Sequence, residues 1–209
     1  MSYSAVLDPI IHSPVLPQLI DELNKYWESE QNRRIEFYNW ITPSMKAEFI
    51  EGEIVIHSPV RSKHNVILIN LVTDLKIFLR KSKSGYIGVE KIMTRFTRND
   101  YEPDICYFKV EKSEDFKGEQ TIFPVPDFIV EILSNSTAER DRGVKFNDYE
   151  AHSVAEYWII DPDLGIVEQY ILQKKGKKES YVLEFKGDSG MLKSSVIEGF
   201  EIDVENIFI

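Results

Sequence analysis

The sequence predicts a mixed α/β (α+β) fold: a central mixed β-sheet flanked by helices, with an added N-terminal helix. Three observations lead there. Hydrophobic residues make up 43% and aromatics 12% of the 209 residues, enough for one substantial core and too many for disorder over most of the length. The apolar period switches along the chain between helical and strand spacing. One run, Phe128-Ile129-Val130-Glu131-Ile132-Leu133, is apolar on both faces apart from a single carboxylate, as expected of a central strand covered on both sides.

Residues 1–14 mix Pro, Ser and scattered apolar residues without a period and read as a loosely held arm. From Leu16, the residues Leu16, Leu19, Ile20, Leu23, Tyr26 and Trp27 fall at helical spacing, an amphipathic first helix. The aromatic-rich residues 33–41 continue it or form a packed loop. Residues 47–57 read as two short strands around a Glu-Gly turn. Ser62 is placed to cap a helix running to Arg80, with Val66, Ile67, Ile69, Asn70 and Leu71 near its buried side. The cluster Arg80-Lys81-Ser82-Lys83 closes it, at the negative end of the helix dipole. Residues 86–96 and 104–110 each read as a strand. Thr137 caps a helix over residues 138–151. Strands at 156–160, 166–172 and 181–185 follow, with Asp161-Pro162-Asp163-Leu164-Gly165 as the first hairpin turn and 174–178 as a solvated lysine-rich loop. No repeat, low-complexity tract or Gly/Ser linker divides the chain. The organisation expected is residues 1–45 as an N-terminal arm and helix packing on the core, and residues 46–209 as the principal domain.

The charge balance, 25 basic against 35 acidic residues for a net −10, argues against a sequence-independent nucleic-acid coat, which needs a basic surface to displace counterions. It leaves room for an enzyme whose acids hold metal and whose cations act locally. The single cysteine, Cys106, makes neither an intrachain disulfide nor a structural zinc site. No basic N-terminal segment precedes an apolar run, and no apolar stretch approaches membrane-spanning length. The expectation is a soluble, cytoplasmic protein with no membrane partner and no organic cofactor.

The informative residue is Glu131. A lone glutamate in the middle of an apolar strand costs several kcal/mol unless it is protonated, paired or holding a cation. Strand parity places Asp127, Ile129, Glu131 and Leu133 on one face, away from Phe128, Val130 and Ile132. An arginine or lysine from the next helix would satisfy it as an ordinary buried pair. Asp104 supplies a second acid, in Glu102-Pro103-Asp104 ahead of the buried run Ile105-Cys106-Tyr107-Phe108. Two carboxylates on neighbouring strands offer the hard oxygen ligands that Mg²⁺ or Mn²⁺ prefers, although an Asp opening a strand is also a common turn residue. Asp141 and Lys145 follow four apart on the next helix. They form either a surface ion pair of about 0.3–0.5 kcal/mol or a lysine reaching back to the metal site. His64, beside Arg61 and Lys63, reads as a phosphate or proton-transfer residue or as a surface histidine.

The ordered set of segments resembles the Uma2 family (DUF820), endonucleases of the PD-(D/E)XK fold. It comprises Lys46-Ala47-Glu48-Phe49-Ile50-Glu51-Gly52-Glu53, His57-Ser58-Pro59, His64 and Glu102-Pro103-Asp104. It continues through Pro126-Asp127-Phe128-Ile129-Val130-Glu131-Ile132-Leu133-Ser134, Asp141-Arg142, Lys145, Tyr149, Glu156-Tyr157-Trp158 and Asp161-Pro162. The resemblance covers residues 46–172 and implies a restriction-endonuclease-like core with metal at the edge of its sheet. It implies Asp104 and Glu131 as metal ligands and Lys145 as a displaced lysine, because Leu133 stands where the superfamily has the lysine of Glu-X-Lys. Glu51 is expected as the extra upstream acid, with Glu48 and Glu53 as neighbours that compete. Asp127 is a rival to Asp104, which is preferred because it comes from a different strand than Glu131. His64 and Asp141 support the site.

The function implied is a Mg²⁺- or Mn²⁺-dependent endonuclease that hydrolyses DNA through a metal-activated water. Arg61, Lys63, Arg95, Arg98, Arg140 and Arg142 would supply local positive charge, and a homodimer is compatible with a duplex substrate. A catalytically silent nuclease-fold binding module is the alternative, supported by the missing Glu-X-Lys lysine. A glycosidase is disfavoured, since such acid pairs work in open clefts rather than on apolar strands.

Overall fold

A computed structural model describes residues 3–176 and 178–209. Met1, Ser2 and Lys177, which belong to the expected arm and lysine-rich loop, lie outside the described residues. Two helices open the chain, α1 (Tyr3–Ile11) and α2 (Leu16–Trp40). The arm is therefore helical from Tyr3, despite Pro9 inside α1. Helix α2 runs unbroken through the aromatic segment, but only Glu30, Arg34 and Phe37 are buried. Ile20, Leu23, Tyr26 and Trp27 of the expected apolar stripe are 43–54% exposed, because the first half of α2 projects away from the sheets. Its second half is fastened by Arg34, whose Nε and Nη2 donate to Asp100 at 2.6 and 2.8 Å while Nη1 and Nη2 also bond the carbonyls of Thr97, Phe96 and Asn99. A bidentate, buried pair of this kind sets orientation more than it adds stability.

Strands β1 (Ala47–Ile50) and β2 (Glu53–Ile56) form the expected hairpin. Its turn needs left-handed backbone at Glu51 (φ 50°) and Gly52 (φ 87°), a conformation that favours glycine. Helix α3 (Ser62–Ser82) presents His64, Ile67, Leu68, Leu71, Leu75 and Leu79 to the core. Each buried Leu or Ile contributes about 1.5–3 kcal/mol of apolar burial. Val66 and Ile69, expected near that face, are exposed, since the continuous i, i+3, i+4 row runs one residue to the side.

The segment expected as one strand over 86–96 is two: β3 (Tyr86–Val89) and β4 (Met93–Arg95). Glu90 turns the chain with a φ of 63°, and Ile92 N–H bonds Glu90 O, so the two halves enter different sheets. After β5 (Asp100–Tyr101), β6 (Ile105–Phe108) gives way to a short helix α4 (Val110–Ser113), and β7 (Ile122–Phe123) precedes the central strand β8 (Phe128–Ile132). The single helix expected over 138–151 breaks at Gly143 into α5 (Ala138–Arg142) and α6 (Val144–Ala151). The backbone passes so close there that a Cβ on Gly143 would lie 2.7 Å from Glu139 O. Strand β9 (Glu156–Asp161) and the hairpin β10 (Ile166–Lys175) and β11 (Lys178–Gly187) follow, longer than expected. The chain closes with β12 (Met191–Lys193), β13 (Glu201–Asp203) and α7 (Val204–Phe208).

The principal sheet has the order β11-β10-β9-β8-β6-β3, antiparallel except for the parallel pair β8/β9. A second sheet, β2-β1-β5-β4-β7, carries α2. One face of the principal sheet packs Phe128, Val130 and Ile132 against α3 and the C-terminal segment; the other packs Ile129 and Leu133 with Tyr149 of α6. Glu131 shares the second face, in keeping with strand parity. The architecture is thus a mixed α/β fold with mixed sheets, flanking helices and N-terminal helices.

Candidate active site

The carboxyl ends of the parallel strands β8 and β9 open into a pocket of about 340 Å³, with the start of α3 and the segment leading into α5 as its walls. Ligand sites in α/β sheets favour this end, where loops diverge from a rigid support. Glu131, Asp104, Lys145, Asp141 and His64 all line it, together with Lys46. They are buried: Asp141 is 1% exposed, Lys145 2%, Glu131 3%, His64 5% and Asp104 7%. Charges removed from water to this extent must be compensated locally.

Strand pairing delivers the two predicted acids. Antiparallel β6 and β8 place Ile105 opposite Val130. Asp104 N–H then reaches Glu131 Oε2 at 3.4 Å. Asp104 Oδ2 accepts from Ile132 N–H at 2.8 Å and lies 3.1 Å from His64 Nε2, while Lys46 Nζ stands 3.3 Å from Oδ1. Glu131 Oε1 accepts from Tyr149 Oη at 2.8 Å and from Lys145 Nζ at 3.0 Å. Lys145 comes from α6, and Leu133 packs in the apolar cluster that includes Tyr149. Asp141 Oδ1 is 3.4 Å from Lys145 Nζ across the Gly143 break, a buried contact rather than a surface pair.

The structure does not bring Glu51 to this group. Glu51 is exposed at the hairpin turn and faces Arg98 at 3.6 Å. Glu48, three residues earlier, is the acid that enters: fully buried, with Oε1 2.9 Å from Lys145 Nζ and Oε2 3.1 Å from His57 Nε2. Its signal in the sequence is an acid inside the apolar run Ala47-Glu48-Phe49-Ile50, all four of whose residues are buried. Glu53 is exposed. Asp127 lies at the other end of β8, bound to Lys112 at 2.9 Å and to Lys109 N–H at 2.8 Å. Tyr149 and Lys46 are members of the site that residue-type reasoning did not single out.

The acids divide electrostatically. Burial opposes charge on Asp104, but His64, Lys46 and the Ile132 N–H outweigh it and hold the carboxyl near 2. Glu48 is likewise held near 2, burial being overcome by Lys145 and His57. Glu131 goes the other way: burial, with Asp141, Asp104 and Glu48 close by, pushes it up to about 8 against the pull of Lys145. Burial disfavours the Lys145 ammonium, yet Glu131, Glu48 and Asp141 keep it firmly protonated. Glu48 is thus the committed partner of Lys145, and Glu131 is the carboxylate short of positive charge. Glu102, which accepts from Ala47 N–H at 3.0 Å, is raised to about 7 by burial and by Glu48.

Among the described residues, no three His, Cys, Asp or Glu side chains are spaced as a complete metal site. What the pocket offers is two carboxylates, with Glu48 and Asp141 adding negative charge. That set fits Mg²⁺ or Mn²⁺, which are held by one or two carboxylates and draw their remaining ligands from water and phosphate. Among the described residues His64 Nδ1 is buried without a partner, a further polar atom left open at the site.

The six cations expected to face a polyanion also divide. Arg61, Lys63 and Arg140 line the pocket. Arg95 and Arg98 belong to the α2 dock, beside Tyr38 and Glu30, and Arg142 is paired with Glu168 at 2.5 Å. No described helix is long and apolar enough to cross a membrane.

Comparison with known proteins gives relatives, a shared fold and a family. The chain is 27% identical over 155 residues to the uncharacterised protein sll1609 of Synechocystis sp. (strain ATCC 27184 / PCC 6803 / Kazusa), covering 73% of this chain and 86% of that protein. It is 26% identical over 204 residues to slr1290, also uncharacterised and from the same organism, covering 93% and 96% respectively. A crystal structure described as a "putative nuclease belonging to DUF820", from Anabaena variabilis ATCC 29413, superposes with a TM-score of 0.69 at 20% identity, over 83% of this chain and 95% of that one, and so shares the fold. The family Uma2, described as "Putative restriction endonuclease", matches residues 34–205. The chain belongs to the Uma2 family.

Proposed function

We propose that this protein is a Mg²⁺- or Mn²⁺-dependent endodeoxyribonuclease whose site is the β8/β9 pocket. The observation that carries the reading is the meeting of Asp104 and Glu131 from adjacent strands at the floor of that pocket, with Lys145 Nζ 3.0 Å from Glu131. Asp104 and Glu131 would hold the cation. When bound, a divalent cation lowers the pKa of a coordinated water and screens the phosphate it attacks. The chain's own residues prepare the rest. His64 and the Ile132 N–H fix the Asp104 carboxylate in its charged form, and Tyr149 and Lys145 orient Glu131 through its Oε1, leaving Oε2 turned to Asp104. Lys145, a permanent ammonium, opposes the negative charge that grows on an attacked phosphate, and the enclosed pocket makes such a fixed charge count for more than it would in water.

One observation favours a catalytically silent binding module instead: Lys145 is 2% exposed and already spans Glu48, Glu131 and Asp141, as a structural counter-ion would. Cleavage separates the two readings. Purified protein is expected to cut DNA with Mn²⁺ or Mg²⁺ and not in EDTA, with Lys145→Ala markedly slower. Absence of cleavage of single-stranded, duplex and branched DNA with every divalent cation tried would leave the binding module as the reading.

A further inference from the structure

Two of the cations at the pocket mouth are held by an acid with no part in the buried site. Asp163 sits in the β9–β10 turn, and that turn is pinned because Asp161 Oδ1 accepts from both Asp163 N–H at 2.9 Å and Leu164 N–H at 3.0 Å. From there Asp163 Oδ1 meets Lys63 Nζ at 3.2 Å, and Oδ2 stands 4.0 Å from Arg61 Nη1. All three side chains line the pocket, yet they are 60–67% exposed. An ion pair this exposed is screened by solvent and adds little to the fold. It nonetheless sets a carboxylate between the two cations at the entrance to an acidic pocket.

Resting on the nuclease reading above, we infer that Arg61 and Lys63 form a phosphate contact at the pocket mouth and that Asp163 occupies it as a built-in competitor. A nucleic-acid strand binds by exchanging the Asp163 carboxylate for a backbone phosphate. The exchange is cheap because the pair is solvated, and it is selective because a ligand without a phosphate in register leaves the cations with Asp163. The pinned turn keeps the competitor in place.

The test is a mutant cycle read by binding alone, in EDTA, with a fluorescein-labelled single-stranded DNA of about 20 nucleotides at about 50 and 200 mM salt. Asp163→Asn is expected to tighten binding about three- to tenfold at the lower salt. The gain should vanish when Arg61→Ala and Lys63→Ala are also present, and that double variant alone should lower the salt slope by about one to two. An equal gain from Asp163→Asn in both backgrounds would mean that Asp163 acts only through the general field of the protein, and no gain would mean that it does not compete; either overturns the inference. Both of those outcomes leave the nuclease reading standing. If neither the natural protein nor Asp163→Asn binds the strand, the inference falls, and the nuclease reading is decided separately by the cleavage assay with divalent cations.

Discussion

Two glutamates, Glu131 and Glu156, are buried on the neighbouring parallel strands β8 and β9 and are satisfied in opposite ways. Glu156 is enclosed by neutral donors. Trp158 Nε1 and Gln169 Nε2 each reach its Oε1 at 2.6 Å, and the hydroxyls of Ser194 and Ser195 and the N–H groups of Ser195 and Val196 close on Oε2 within 3.1 Å. Every donor is supplied by the fold, and the glutamate ties the C-terminal segment to the sheet. Among the described residues Glu131 has only Tyr149, Lys145 and a long contact to Asp104 N–H, stands among other acids, and borders a pocket. Burial of a carboxylate is therefore not by itself a functional signal. The difference lies in whether the compensation is complete without anything from solution.

The largest expected effects test that distinction. Asp104→Ala and Glu131→Gln should each lower metal-dependent DNA cleavage by about a hundredfold or more. Glu131→Gln should at the same time leave thermal stability unchanged or raise it, because it removes a carboxylate from a crowd of acids. Glu156→Ala should do the reverse. It strands buried donors and should cost about 3 kcal/mol or more of unfolding free energy in urea titrations, while Mn²⁺ affinity of the folded protein stays unchanged. A stability loss in Glu131→Gln as large as that in Glu156→Ala would erase the contrast.

A smaller contrast lies within the first hairpin. Glu48→Gln should slow cleavage by about tenfold or more, since Lys145 loses its committed partner. Glu51→Gln, at the exposed turn, should change neither rate nor stability beyond about 0.5 kcal/mol. The smallest effect concerns Glu168. Burial alone would raise its pKa, but hydrogen bonds from Arg142, Lys186 and Tyr170 hold it near 2. A carboxyl with a depressed folded-state pKa adds stability above its unfolded value of about 4.3 that fades as the pH falls toward 2. Glu168→Gln should therefore flatten the acid limb of the stability–pH curve in that window and leave cleavage at neutral pH untouched.

Much of this organisation was legible in the residues. The strand carrying Glu131 and its parity follow from alternation and from an acid where an apolar side chain belongs, whereas the choice of Asp104 over Asp127 and the reach of Lys145 rest on the family resemblance. What stayed hidden depended on tertiary partners. Glu156 opens a strand, a common place for an exposed acid, and its donors come from as far as Val196. Glu48 and Glu51 lie on one short hairpin, and only the turn at Glu51–Gly52 decides which of them points inward. The break at Gly143 rests on a close approach to Glu139 O. The exposed first half of α2 shows the converse: an apolar helical stripe predicts burial only where something is present to bury it.

The proposed role of the pocket is tested most directly by Mn²⁺ titration of the metal-free protein, followed calorimetrically, in three forms: natural, Asp104→Ala/Glu131→Gln, and Glu156→Gln. The expected result is one saturable Mn²⁺ site in the natural protein and in Glu156→Gln, and none in the double variant. Equal Mn²⁺ binding by all three, or none by the natural protein, would contradict the assignment of Asp104 and Glu131 as the ligands of a catalytic cation.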